Sequence, residues 1–212
     1  MILLAHQRGF QVAVHAVGDK AVKVTINSFV QAIQRYPGES RRHYVLHGSM
    51  GDRQDFVMAA KYGILLSEQP SPGGPAYDYE QRAPLLWHQG GNLQRATGYH
   101  RPWGHHRRRV RWHYGAGENW RKMVQAAVTR KSSSSGKVIR PELAISVADG
   151  VRMYTINAAY QEGKEAVRGS IEVGKVADFQ VLDRDIFAVA HEEIGASRVV
   201  MTMVGGNVVF QD

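Results

Sequence analysis

Two short apolar runs, each closed by a histidine, constrain what this chain can fold into more than any other feature. "FQVAVHAVGDKAV" (residues 10–22) is β-prone as far as His15, then passes through Gly18-Asp19 into helical spacing. "HYVLHGSM" (residues 43–50) repeats the device and ends its run on His47. The spacing predicts a strand over Gln11 to Val14 that ends at His15. From Asp19 a helix is expected, with Val22, Ile26, Phe29, Val30 and Ile33 on one stripe, stopped by Tyr36-Pro37-Gly38. A second strand, His43 to His47, precedes a helix opened by Asp52. That helix carries Phe56, Val57 and Ala60 on one face and ends at Gly63, and a third strand, Ile64 to Ser67, closes before Pro70. The two histidines stand 32 residues apart, the length of one βα unit.

Consecutive parallel strands joined by right-handed crossovers bring their carboxyl ends to one edge. His15 and His47 are therefore expected side by side at the edge where barrels and open α/β sheets build their sites. Two readings stand next to each other. Each histidine caps its strand as a satisfied core residue, or the two serve as metal ligands. With no cysteine in the chain, thiolate ligands, thiol nucleophiles and disulfides are excluded, which leaves His, Asp, Glu and Lys for metal chemistry.

The net charge of +8 suggests an acidic partner until it is located. Residues 81–115 hold seven arginines, five of the ten histidines and three of the four tryptophans, with no lysine and no acid. Removing that +7 from +8 leaves +1 for the rest. The stretch has neither a period of two nor one of 3.6, and its composition changes abruptly at both ends, the signature of a shifted reading frame. "GHHRRRVRWH" also invites nucleic-acid binding, arginines for phosphates and tryptophans for stacking. No framing nucleic-acid fold supports it, and solvated disorder is the favoured description. His105 and His106 with His100 are candidate adventitious metal donors.

Beyond this segment, "WRKMVQAAVTR" is helical with Met123, Ala126 and Ala127 on one face, and "KSSSSGK" is a flexible loop. "SVADGVRMYTINAAYQEG" reads as one helix started by a capping-box-like Ser146 and Asp149. Short glycine-broken strands come next, with Gly205-Gly206 as a two-residue hairpin turn. No apolar run reaches 18 residues and no signal-peptide h-region is present, so a soluble, cytoplasmic protein without a membrane span is the expectation.

In order along the chain, "VAVHAVGDKAV", "RRHYVLH", "AAVTR", "YTINAAY" and "GSIEVGKVADFQVLDRD" resemble the carboxyl-terminal half of amidohydrolase family 3, over roughly residues 1–70 and 118–212. This group of metal-dependent hydrolases of C–N bonds includes N-substituted formamide deformylases. The resemblance implies an α/β fold: a partial (β/α)8 TIM-type barrel, about strands five to eight, over residues 1–165, and a small β-sandwich segment over 166–212. It implies a divalent metal, usually zinc, with His15 as the fifth-strand ligand and His47 as the sixth-strand ligand. Asp19 falls in the family's His-x-x-Gly-Asp motif, where it is either a helix N-cap or a catalyst. Lys175 and Asp178 fall in a turn of the β segment. Arg130 of "AAVTR" meets a substrate carboxylate or forms a salt bridge inside the fold.

The departures bear on activity. No aspartate occurs between Asp78 and Asp149, so the eighth-strand proton shuttle of the family is missing and no catalytic residue is assigned. Leu46 stands where the family usually has Glu before its sixth-strand histidine. Strands one to four have no counterpart. The expectation is a part of an amidohydrolase acting on small amide-type molecules, inactive alone and prone to self-association or to pairing with an amino-terminal half. The rival readings are a non-enzymatic nucleic-acid module and a half-enzyme that works only beside its complement.

Overall fold

The computed structural model describes residues 1–67, 119–132, 135–138, 141 and 144–212. The basic segment 81–115 lies outside them, and with it the frame-shift and nucleic-acid readings and the His100, His105, His106 donors. The described residues form two compact units, 1–67 and the part from 119 onward.

In the first unit the order is α1 (Ile2–Gln7), β1 (Ala13–Ala16), α2 (Asp19–Arg35), β2 (Tyr44–His47), α3 (Arg53–Lys61) and β3 (Leu65–Ser67). The strands make one parallel sheet in the order β1-β2-β3. Helices form where the stripe demands them. Val22, Ile26, Phe29 and Val30 of α2, with Phe56 and Ala59 of α3, are buried against Ala16, Val45 and Leu66 of the strands and Ile64 just ahead of β3. Phe29, wholly buried, is among the largest enclosed side chains. Burying such a ring is worth roughly 1.5–3 kcal/mol.

Two details differ from the periodicity. On α3 the inward face is Phe56 and Ala59, three apart and so on one side of the helix, and Val57 is 39% exposed. Position 57 is turned roughly 100° from Phe56, away from Ala59. The sequence also does not announce α1. Its six residues are too few for a period to show, and its buried residue is the polar His6.

Caps set the helix starts. Asp52 accepts from the Asp55 backbone N–H at 2.9 Å while Asp55 accepts from the Asp52 N–H at 3.3 Å, a reciprocal capping box. Asp55 is itself buried, and that burial raises its carboxyl above the usual range.

The second unit contains α4 (Trp120–Thr129), α5 (Val147–Tyr154), α6 (Ile156–Gln161), β4 (Phe179–Leu182), a 3-10 turn (His191–Ala196), β5 (Val199–Val204) and β6 (Asn207–Gln211). Val124 and Val128 of α4 share a core with Val147, Ile186 and Ile194. The strands form an antiparallel sheet β4-β5-β6, and Gly205 and Gly206, both at positive φ, make the hairpin turn the sequence predicts.

The helix expected from Ser146 to Gly163 is broken at Thr155 (φ −120°, ψ −104°). The Thr155 hydroxyl donates to the Val151 carbonyl at 2.9 Å, the back-bonding that bends helices. At the start, the Ser146 hydroxyl accepts from the Asp149 N–H at 3.1 Å and donates to the Asp149 carboxylate at 2.7 Å.

Helices α4 and α5 approach closely at Gly150, where a Cβ would stand 2.8 Å from Val124 Cγ1.

The cap and the close approach each predict a stability change. Asp52→Ala is expected to lower stability by about 1 kcal/mol, with Asp52→Asn restoring most of it, read as shifts in urea midpoint. Gly150→Val is expected to cost about 1–3 kcal/mol by overpacking. Adding Val124→Ala should then cost less in that background than in the wild type, as measured by a double-mutant cycle.

Candidate metal centre

Strand alternation sorts the first sheet into two faces. In register, Val14 pairs with Val45 and Val45 with Leu66, on the face covered by α2 and α3. His15 pairs with Leu46 and Leu46 with Ser67, so these three form a row on the opposite face, at the carboxyl ends of the strands. By the same register His47 pairs with Ala16, which is buried in the helix-covered core. Regular pleating would send the His47 ring into that core, away from His15.

It does not go there. His47 adopts a left-handed backbone, φ 73°, and its ring stands edge-on to that of His15, with centroids 4.5 Å apart and planes at 71°. A non-glycine residue in this region costs about 1–2 kcal/mol, and histidine is among the side chains that tolerate it best. The residues after His47 hold the geometry in place. Gly48, also left-handed at φ 68°, donates its N–H to the Ala16 carbonyl at 2.9 Å, and the Met50 N–H donates to the Val17 carbonyl at 3.0 Å. The exit of β2 is thus stitched to the exit of β1 while the ring turns across. His15 is exposed and His47 half-buried, so both imidazoles are within reach of a ligand.

Two imidazoles whose nitrogens each lie about 2 Å from one ion bring their ring centres to a separation of this order. The pair therefore fits as two donors of a metal site. Among the described residues no group of three or more His, Cys, Asp or Glu side chains gathers to complete it.

The remaining expected residues sit elsewhere. Asp19 is the first residue of α2, not its cap. Gly18 occupies the cap position, and the Asp19 carboxylate accepts from the Lys20 N–H at 2.6 Å. Its charge still favours the positive end of the helix.

Arg130, in the second unit, closes α4 in a left-handed C-cap (φ 56°) and is only 5% exposed. Lys175 donates to the Ser170 hydroxyl at 2.6 Å and to Glu172 at 3.3 Å. Hydrogen bonding from Ser170, then the Lys175 ammonium, holds the Glu172 carboxyl below its usual range. Asp178 accepts from the Gly205 N–H at 2.7 Å and so anchors the β5–β6 turn.

Two features of the centre are absent from the sequence reading. One is Ser67, fully buried and in the same cross-strand row as His15. Its parity within "GILLSEQP" is the available signal. The other is the left-handed turn at His47, at which the next residue, Gly48, hints.

Comparisons with known proteins place the chain in a family. The chain is 28% identical over 220 residues to the putative amidohydrolase YtcJ of Bacillus subtilis, a match covering all of this chain and 39% of YtcJ. Over 85 residues it is 38% identical to the N-substituted formamide deformylase of Arthrobacter pascens, covering 40% of this chain and 16% of that enzyme. Among solved structures, a metal-dependent hydrolase from Pyrococcus furiosus superposes with a TM-score of 0.64 at 21% identity, over 88% of this chain and 37% of that one. The chain thus spans well under half the length of these relatives. The family model for amidohydrolases matches residues 1–210, almost end to end, and the chain belongs to the amidohydrolase family.

Proposed function

We propose that this chain is the carboxyl-terminal part of a metal-dependent hydrolase of non-peptide C–N bonds, with His15 and His47 as two of its metal ligands. The observation that carries the reading is the left-handed turn at His47. It sets the ring 4.5 Å from that of His15 against the direction of the pleat. Backbone strain at a residue with a chemically capable side chain is a recurrent mark of a functional site.

Three parallel strands with α2 and α3 on one face support a partial barrel, proposed here to extend to about residue 165, with residues 166–212 as a small β segment that shares a core with α4 and α5. His15 and His47 would hold a divalent metal, zinc by preference for neutral imidazole donors, which would supply an acidified water and polarise a carbonyl. The chain's own part is to present two imidazoles from a rigid sheet edge. Arg130, deeply buried in its own unit, is read as structural in preference to a substrate contact, as are Asp19, Lys175 and Asp178.

The remaining donors are assigned to an amino-terminal half. A four-unit part of a barrel that closes at about 250 residues leaves parallel-sheet edges open, which favours association with that half or with another copy. Small amides such as N-substituted formamides are the proposed substrates.

The test has two arms. The chain alone is expected to lose zinc during gel filtration and to leave formamides intact. Co-produced with the amino-terminal half of a family member, it should retain zinc, and release of formate would show that the missing eighth-strand aspartate is dispensable. His15→Ala and His47→Ala should each abolish that retention. Undiminished zinc in both variants would remove the two histidines from the ligand set.

A further inference from the structure

The first unit contains a second histidine pair, remote in role from the first. His6 of α1 and His43, just ahead of β2, are buried, at 6% and 2% exposure. His6 Nδ1 and His43 Nε2 are 2.8 Å apart, with ring centroids at 5.0 Å, and the His43 ring stacks on Phe29 of α2 at 5.0 Å and 12°. The outer nitrogens are engaged as well. The Val12 N–H donates to His43 Nδ1 at 3.0 Å, and His6 Nε2 lies 2.8 Å from the Tyr36 carbonyl oxygen at the end of α2.

These contacts permit one arrangement of protons. A backbone N–H can only donate, so His43 Nδ1 must accept and its proton sits on Nε2. That proton is donated to His6 Nδ1. His6 then carries its own proton on Nε2 and donates it to the Tyr36 carbonyl, which can only accept. Both rings are neutral and both tautomers are fixed by the backbone at either end of the relay. A further proton has nowhere to go. On His43 Nδ1 it would face the Val12 N–H, and on His6 Nδ1 it would face the His43 N–H, two donors opposed in each case.

We propose that the His6–His43 relay is an acid-operated latch: neutral, it fastens α1 and the chain entering β1 to α2 and β2, and protonation releases them.

The surroundings agree. Beside the pair stand Arg41, from the loop before β2, and Tyr36, at the end of α2, whose carbonyl meets His6. Neutral Leu65 of β3 meets the His43 carbonyl through its N–H. Burial, then His6, then Arg41 pull the His43 imidazole down to about 4 from 6.5. Because the folded value is lowered, the unfolded chain takes up the proton first. The latch is at full strength above pH 6.5 and weakens as pH falls from there towards 4.

Residue-resolved hydrogen exchange on the full 212-residue chain tests this. Between pH 7 and pH 4, after correction for intrinsic rates, protection of the Val12 amide should fall about a hundredfold more than that of Phe29 in α2. His43→Phe should leave Val12 weakly protected at both pH values. His6→Gln, whose amide can accept from His43 and donate to Tyr36, should keep wild-type protection at pH 7. Ring nitrogen shifts should report the Nε2–H form of both histidines. The latch is refuted if Val12 and Phe29 lose protection in step, if Val12 protection does not change with pH, or if His43 carries its proton on Nδ1.

Discussion

The first unit depends on the burial of one helical stripe against one face of three parallel strands. Phe29, Ile26 and Val22 of α2 meet Val45 and Ala16, and Phe56 of α3 joins the same core. Once that face is committed to packing, alternation fixes the other. Ala13, His15, Tyr44, Leu46, Leu65 and Ser67 stand on the opposite side because their neighbours cannot leave the core. The position of His15 is thus a by-product of hydrophobic burial, and no separate device is needed to aim it.

His47 is the exception that the same logic exposes. Its register partner Ala16 belongs to the core, so a regular strand would bury an imidazole among Phe56, Val45 and Val22 without assured hydrogen-bond partners, at a cost of about 1–3 kcal/mol. A left-handed residue costs about as much or less. The bonds from Gly48 and Met50 to β1's exit hold the turn once made. The fold resolves a conflict between register and polarity by bending the backbone, and the result sets two imidazoles together. The other histidine pair answers the same polarity problem differently. His6 and His43 stay inside because each ring nitrogen finds a partner of opposite character.

Much of the scaffold is legible because its signals are local. The α2 stripe, the Asp52 and Ser146 starts, the three strand positions and the Gly205-Gly206 turn each rest on residues within one element or one turn. Where local signals are thin, sequence and structure part. Apolar character alone points Val57 inward, whereas the helix turns it out. Asp19 has the chemistry of a cap, but backbone Gly18 occupies that place, and Thr155 breaks a helix through a hydroxyl that periodicity does not weigh.

The sequence by itself determined the βα alternation, the histidines at or one residue short of the strand ends, the absence of thiol chemistry and the family motifs, since these depend on residue types and short spacings. Only the tertiary structure decided that His47 turns left-handed to meet His15, that Ser67 shares the His15 row, and that His6 reaches a histidine 37 positions away. Those outcomes are set by register between strands and by which buried polar atoms come to face each other. Both are properties of chain segments brought together from a distance, and no window along the sequence contains them.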